Sequence, residues 1–280
     1  MKAAAVCVVS DGPDGTYLVN RLHEEIGVDL AVVFEAEPVR SRLARTLRTC
    51  GLGGVWDVAA GRLDNLRRSP SRKGELDRWF GDRWHELPDG VRRLAATSGS
   101  DRAVIDAVRA MGDVDLVVHA NVLVGTDLIE ASRTALNLHW GLSPYYRGTY
   151  CTEWALLHAD VQNIGVTVHE LTQTIDGGRI VGQRRATLSD HDTVRSIDAQ
   201  LTVLGTDIVC DSLRILADGG SLVTVPQDLS LGQLTLKRQW TRHLRRQVTR
   251  LERTGLASLI ARPWRPEQAI VDGPVRAEAA

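Results

Sequence analysis

Ala3 to Val9 is an unbroken apolar run with three valines, closed by the turn-rich stretch Asp11-Gly12-Pro13-Asp14-Gly15. A strand apolar on both faces belongs inside a parallel sheet, because only there do helices cover both sides. From Thr16 the period lengthens, so that Tyr17, Leu18, Leu22 and Ile26 share one helical face and Gly27 supplies a stop. Val28 to Phe34 is a second apolar strand. Strand, helix and strand form a βαβ unit with a right-handed crossover. The chain is therefore an α/β protein from its first thirty residues onward.

The same alternation resumes downstream. Asp101 is placed to cap a helix bearing Val104, Ile105, Val108 and Met111. Val114–Val118, Ala135–His139 and Ile164–Leu171 read as further strands. The expected architecture is an open, mostly parallel, twisted sheet flanked by helices, Rossmann-like in layout. Residues 57–100 break the rhythm with Arg67, Arg68, Arg72, Lys73, Arg78 and two prolines, and read as a partly mobile surface insertion with short helices. The glycine clusters at Asp11–Gly15 and Gly51-Leu52-Gly53-Gly54 lack the spacing or strand–loop–helix setting of a dinucleotide-binding loop and read as turns.

Composition narrows the class further. With 280 residues, 43% hydrophobic and 25% charged, the chain fits a globular protein and excludes disordered and fibrous classes. Cys7, Cys50, Cys151 and Cys210 are widely separated, which suits reduced thiols better than a disulfide scaffold or a zinc knuckle. The N-terminal apolar run ends without a small-x-small cleavage site, and no stretch reaches 18 apolar residues. The expectation is a soluble, cytoplasmic protein with no membrane partner. A net charge of −1 gives no pull toward nucleic acid.

The chemistry concentrates in Asn137-Leu138-His139-Trp140-Gly141-Leu142-Ser143-Pro144-Tyr145-Tyr146-Arg147-Gly148. Asn137 and His139 are two apart on a strand, so both project to one face. The strand runs into a Gly/Pro loop, placing the pair at the carboxyl edge where open α/β sheets bind ligands. An amide donor beside an imidazole suits acyl transfer: the amide can stabilise an oxyanion while the imidazole moves a proton. A histidine near a strand end can equally be a packing residue, as the chain's seven others (His23, His85, His119, His158, His169, His191, His243) illustrate. The pair gains weight from its partner downstream, Val166-Thr167-Val168-His169-Glu170-Leu171 followed by Asp176 in the loop Thr174–Ile180.

The ordered set N-x-H-x-x-L-x-P-x-x-x-G, then G-V-T-V-H, then D-x-G-x-I, resembles the folate-dependent formyltransferases, which move a formyl group from 10-formyltetrahydrofolate to an amine. The resemblance is strong over residues 114–182 and weaker over the N-terminal βαβ unit; it does not reach the 57–100 insertion or residues beyond 225. It implies a catalytic trio of Asn137 (oxyanion donor), His139 (proton relay) and Asp176 (orienting carboxylate), with no metal. His169 matches a frequent family residue, but its expected role is packing beside the sheet. Two positions depart from the pattern: Trp140 stands where many members have proline, and Gly177 replaces a common threonine.

By the same resemblance, the segment after Val118 grips the folate ring, which assigns Ala120, Asn121, Val122, Leu123 and Val124 to the donor, with Gly178 beside them; simple core packing is the alternative for the apolar three. Trp140, Tyr145, Tyr146 and Arg147 are candidates for the acceptor, by stacking or by pairing with a phosphate. Residues 1–225 then form the catalytic domain and 226–280 a C-terminal extension. In that extension Lys237–Arg253 carries seven Lys/Arg and one Glu, with Trp240, Leu244, Val248 and Leu251 on one stripe of an amphipathic helix. The expected reaction is N-formylation of a small-molecule primary amine, a nucleotide-linked amino sugar or a specialised-metabolite amine. Formyltetrahydrofolate hydrolysis and methionyl-tRNA formylation are the alternatives, and a homodimer is left open.

Overall fold

The computed structural model describes residues 3–35, 47–48, 73–262 and 270–276. Cys50, the Gly51–Gly54 cluster and residues 57–72 of the expected insertion lie outside the described residues.

Strand β1 (Ala4–Ser10) pairs in parallel with β2 (Leu30–Phe34) on one side and with β4 (Val114–His119) on the other. Its apolar run is explained by two cores. Val6 and Val8 join a cluster with Val104, Ile105 and Val108 of helix α3 (Arg102–Met111), while Cys7 and Val9 join Leu18, Val19 and Leu22 of helix α1 (Pro13–Glu25). The side chains of Val6 to Val9 are thus buried alternately by one helical layer and the other, while Ala4 and Ser10 at the strand ends are only partly buried. Helix α1 begins three residues before Thr16, because Pro13 fits the first turn, where no backbone N–H is needed. The Asp101 carboxylate caps α3 by accepting from the Ala103 N–H at 3.1 Å.

Among the described residues the sheet has seven strands in the order β3-β2-β1-β4-β5-β7-β8, with β3 (Arg92–Ala96) at one edge and β5 (Thr134–His139), β7 (Gly165–Glu170) and β8 (Ile180–Arg185) at the other end. The chain winds away from β1 in both directions, so a crevice opens between the carboxyl ends of β1 and β4. There the Asn121 N–H donates to Ser10 Oγ at 3.0 Å.

Part of the expected insertion belongs to the sheet. Arg92–Ala96 forms β3, an edge strand parallel to β2, and its exposed Arg92 and Arg93 keep that edge polar. Residues 73–80 form helix α2, whose Phe80 is buried and stacks on Tyr17 at 4.4 Å. Helix α2 fits the short helices expected in the 57–100 insertion, whereas β3 is a strand of the main sheet that this expectation did not include.

Helix α4 (Thr126–Glu130) precedes β5, helix α5 (Cys151–Leu157) follows the site loop, and the long α6 (Val194–Ala217) crosses β5 and β7. At Gly205 of α6 an added Cβ would meet Val166 and Leu138 side chains at 2.7 and 2.8 Å, so the helix lies close to the sheet only because this residue is glycine. A second small sheet joins β6 (Tyr146–Gly148) to β9 (Gln233–Thr235) in parallel. Residue Val271 exchanges main-chain and side-chain bonds with Gln183 of β8. The segment after residue 225 is therefore laced onto the core by these pairings, and Leu256 and Leu259 join the main core cluster as well. The basic helix α7 runs Arg242–Thr254; Trp240 precedes it, and Thr241 caps it by accepting from the Leu244 N–H. The expected stripe is thereby shortened to Leu244, Val248 and Leu251.

Candidate active site

In β5, Leu136 and Leu138 go into the core, leaving Asn137 and His139 on the opposite face. Strand β7 runs antiparallel beside it, with Asn137 opposite His169 and His139 opposite Thr167. Since Val166 and Val168 are core residues, alternation sends Thr167 and His169 to the face of Asn137 and His139. Four polar side chains thus share one corner of the sheet.

The loop after β5 is held by this corner. Thr167 Oγ1 donates to the Gly141 carbonyl at 2.7 Å and accepts from the Ser143 N–H at 3.0 Å, while Gln183 Nε2 donates to the Ser143 carbonyl at 2.6 Å. Gly141 is required for a second reason. A Cβ there would fall 2.2 Å from His139 Nε2 and 2.6 Å from the Tyr146 carbonyl oxygen. Its absence lets His139 Nε2 donate to that carbonyl at 3.1 Å.

A carbonyl oxygen only accepts, so Nε2 carries the ring proton and Nδ1 is the basic nitrogen. Nδ1 faces Asp176 Oδ2 at 3.5 Å. Asp176 has φ 46°, a left-handed conformation that aspartate tolerates better than most residues. Its carboxylate accepts from the Gly148 N–H at 2.7 Å and from Asn137 Nδ2 at 3.3 Å. Burial opposes its ionisation, yet the imidazoles of His139 and His169 and the Gly148 N–H hold it far below the ordinary carboxylate range. For His139, burial lowers the pKa and Asp176 only partly offsets this. The resting pair is a neutral imidazole against an ionised carboxylate, with the imidazole lone pair available near neutral pH.

The structure brings Asn137, His139 and Asp176 together as one cluster. His169 joins them, which sequence reasoning assigned to packing. It is 1% exposed, its Nε2 lies 3.1 Å from Asn137 Nδ2, and its Nδ1 donates to the Glu170 carbonyl at 2.8 Å. The alternation in Val166-Thr167-Val168-His169 held that signal. Cys151, read as a small buried hydrophobe, is buried but also sits with Sγ 3.6 Å from His139 Nε2, and burial pushes its thiol pKa well up.

The remaining candidates divide. Trp140 packs edge-on against His119 at 4.8 Å, and its buried indole N–H has no acceptor among the described residues. Tyr146 turns its side chain into the core, donating to Asp160 at 3.0 Å, so only its main chain reaches the site. Tyr145 is half-buried, and its carbonyl accepts from the Gln233 N–H. Arg147 is 8% exposed, and its Nη2 donates to the Leu229 carbonyl at 3.4 Å; among the described residues no carboxylate pairs with it.

In the expected donor segment, Val124 is buried, Ala120 and Val122 pack on the sheet core, and Leu123 is 73% exposed. The main-chain groups of Val122, Leu123 and Val124 enter no backbone–backbone bond among the described residues. A ring bound through main-chain hydrogen bonds needs such groups, although the Leu123 carbonyl lies against Gly99, where an added Cβ would fall 1.8 Å from it. Gly178 lies against the Glu170 carbonyl, where a Cβ would collide at 1.7 Å, so it serves to seat the Asp176 loop on β7. Among the described residues no group of three or more His, Cys, Asp or Glu could hold a metal ion. No described helix is long and apolar enough to cross a membrane.

Comparison with known proteins points the same way. The family model described as formyl transferase matches residues 69–213, about half of the chain. Methionyl-tRNA formyltransferase from Anaeromyxobacter dehalogenans is 33% identical over 173 residues, covering 58% of this chain and 54% of its own. The chain spans about half the length of the curated relatives it matches. Among solved structures, a sugar N-formyltransferase from a Shewanella species superposes over 99% of both chains with a TM-score of 0.52 at 14% identity. An N-formyltransferase from Helicobacter canadensis, in complex with folinic acid and dTDP-3-aminofucose, covers 85% of this chain and 72% of its own with a TM-score of 0.54 at 11% identity. These distant structures share the fold. With the motif residues gathered at one sheet corner and the family model spanning them, the chain belongs to the formyl transferase family.

Proposed function

We propose that this chain is an N-formyltransferase that moves a formyl group from 10-formyltetrahydrofolate to a primary amine of a small molecule. The observation that carries the reading is the neutral His139 imidazole, with its basic Nδ1 turned to the ionised Asp176 at 3.5 Å, beside Asn137. As the amine nitrogen bonds to the formyl carbon, it must shed a proton. Nδ1 of His139 takes that proton, and Asp176 stabilises the imidazolium. Asn137 offers an amide N–H to the oxygen of the tetrahedral centre. Cleavage of the bond to the donor nitrogen then returns the proton from His139 to that nitrogen. The main-chain groups of residues 122–124, which enter no backbone–backbone bond among the described residues, would hold the folate ring, and no residue has to act as a covalent nucleophile.

For the acceptor, a nucleotide-linked amino sugar is the first choice and another specialised-metabolite amine the second. The fold shared with sugar N-formyltransferases supports this order, as does Arg147, a buried cation without a carboxylate partner among the described residues that could meet a phosphate. The curated methionyl-tRNA formyltransferase relatives support a second reading, an aminoacyl-tRNA acceptor, with α7 as a basic surface. One experiment separates them. The protein is incubated with 10-formyltetrahydrofolate and, in parallel, nucleotide amino sugars, hydroxylated ornithine, methionyl-tRNA or no acceptor. Tetrahydrofolate release and a product heavier by one formyl group are followed. Full-rate formate release without acceptor would replace transfer by hydrolysis; no turnover in any arm would end the enzymatic reading.

A further inference from the structure

A donor count at Asn137 assigns a role to His169. The Glu170 carbonyl can only accept, so His169 Nδ1 carries a hydrogen; Nε2 faces the Asn137 amide nitrogen, which can only donate, so Nε2 presents a lone pair there. Asn137 Nδ2 lies 3.1 Å from that lone pair and 3.3 Å from Asp176 Oδ1. An amide nitrogen has two hydrogens, and here each has an acceptor. His169 Nε2 and Asp176 Oδ1 are 3.5 Å apart with no proton of their own between them, and the Asn137 NH2 group bridges the two.

Two consequences follow. The bridge fixes which end of the Asn137 amide faces the catalytic space, because rotating it by half a turn would set its oxygen against two acceptors. It also means that Asn137 has no idle N–H to offer a formyl oxygen. One existing bond must be exchanged. Asp176 keeps the Gly148 N–H when it loses Asn137, whereas His169 Nε2 has no other donor among the described residues.

We propose that His169 is the positioning residue of Asn137: its Nε2 anchors one amide hydrogen so that the other, directed at Asp176 in the resting enzyme, transfers to the formyl oxygen during reaction. The inference rests on the formyl-transfer reading and adds to the expected trio a fourth residue that touches neither substrate nor the reacting atoms.

The test compares His169→Leu with His169→Gln. Leucine removes the acceptor, while a glutamine side-chain oxygen can restore it. With 10-formyltetrahydrofolate and the acceptor found in the screen, kcat is expected to fall about 100-fold in the leucine variant, the scale of a lost oxyanion donor, and to recover to within about tenfold of wild type in the glutamine variant. KM for the donor, and binding of the unreactive folinic acid, should stay within about threefold in both. A second readout needs no turnover. The two side-chain amide protons of Asn137, followed by 15N NMR, should be resolved and protected in the wild type and glutamine variant and averaged in the leucine variant. An unchanged Asn137 signal in His169→Leu overturns the anchoring role whatever the acceptor. Equal kcat loss in both variants, or a loss borne by KM, also overturns it. Retained NMR anchoring with no formyl transfer in the wild type would instead remove the function reading and leave the anchor standing.

Discussion

Asp176→Asn is the sharpest single perturbation of the site. The substitution is isosteric, and asparagine tolerates the left-handed φ of 46° as well as aspartate does, so the loop keeps its path. The amide oxygen can still accept from the Gly148 N–H, while the amide nitrogen, standing in place of Oδ1, no longer accepts from Asn137 Nδ2 and competes with it for His169 Nε2. What is lost is that one bond and the charge 3.5 Å from His139 Nδ1. At that distance and an effective dielectric near 20, a full charge pair is worth about 5 kcal/mol. A transition state with half a proton on the ring collects about half of this, and each ~1.4 kcal/mol is tenfold. We expect kcat to fall roughly 50- to 100-fold while KM for the formyl donor stays within about threefold. The pH profile gives a second sign. Asp176 raises the His139 pKa against the lowering by burial, so its removal should move the acid limb of kcat to lower pH. The assay is tetrahydrofolate release across the pH range, with the His139 ring titrated by NMR. A rate within about threefold of wild type, or an acid limb that stays put or moves upward, would refute the charge-stabilisation argument.

Gly141→Ala places a methyl 2.2 Å from His139 Nε2 and should break the bond to the Tyr146 carbonyl; kcat is expected to drop at least about tenfold, and an unaltered His139 tautomer by NMR would contradict this. Gly205→Ala drives a methyl into Val166 and Leu138 beneath α6 and should cost about 1–3 kcal/mol in urea unfolding, whereas a neutral result would mean that the helix can lift off the sheet. Burial pushes the Glu153 carboxyl up to about 7, with Glu252 adding to the shift, and burial also raises Asp198 well above its ordinary range. Raised folded-state values stabilise below the ordinary carboxylate range and lose that contribution as pH climbs from there to the folded value, so Tm should decline between about pH 4.5 and pH 7. Glu153→Gln should flatten that decline, and an equally steep slope in the variant would point to another group.

Much of this was readable beforehand because it depends on short periods. The two-sided apolar run of β1 announced a covered parallel sheet, and the Asn-x-His spacing placed two side chains on one face without any tertiary information. The edge strand β3 escaped notice, since Arg92-Arg93-Leu94-Ala95-Ala96 has the polarity of an exposed edge and only pairing with β2 makes it a strand. Phe80 and Leu76 were hidden inside an arginine-rich stretch, where charge masks a four-residue helical spacing. The role of His169 depends on the antiparallel register between β5 and β7, a long-range relation that no local window contains. Trp240 was drawn into the basic helix by periodicity, whereas Thr241 claims the cap position and starts the helix after it.

The pairing of β5 with β7 has one more consequence, for how such an enzyme can change over time. Asn137, His139, Thr167 and His169 occupy their corner by the parity of two strands, whose other faces are committed to a buried core. A one-residue insertion in either strand would swap valines and leucines for the reacting groups, so length in these strands is forbidden ground. The side chains of Tyr145, Arg147 and Leu229 are under no such rule, and they can change while the Tyr146 carbonyl and the Gly148 N–H keep their hold on His139 and Asp176. Chemistry and acceptor choice are therefore separable inheritances in this fold, one locked to the sheet and the other free to drift.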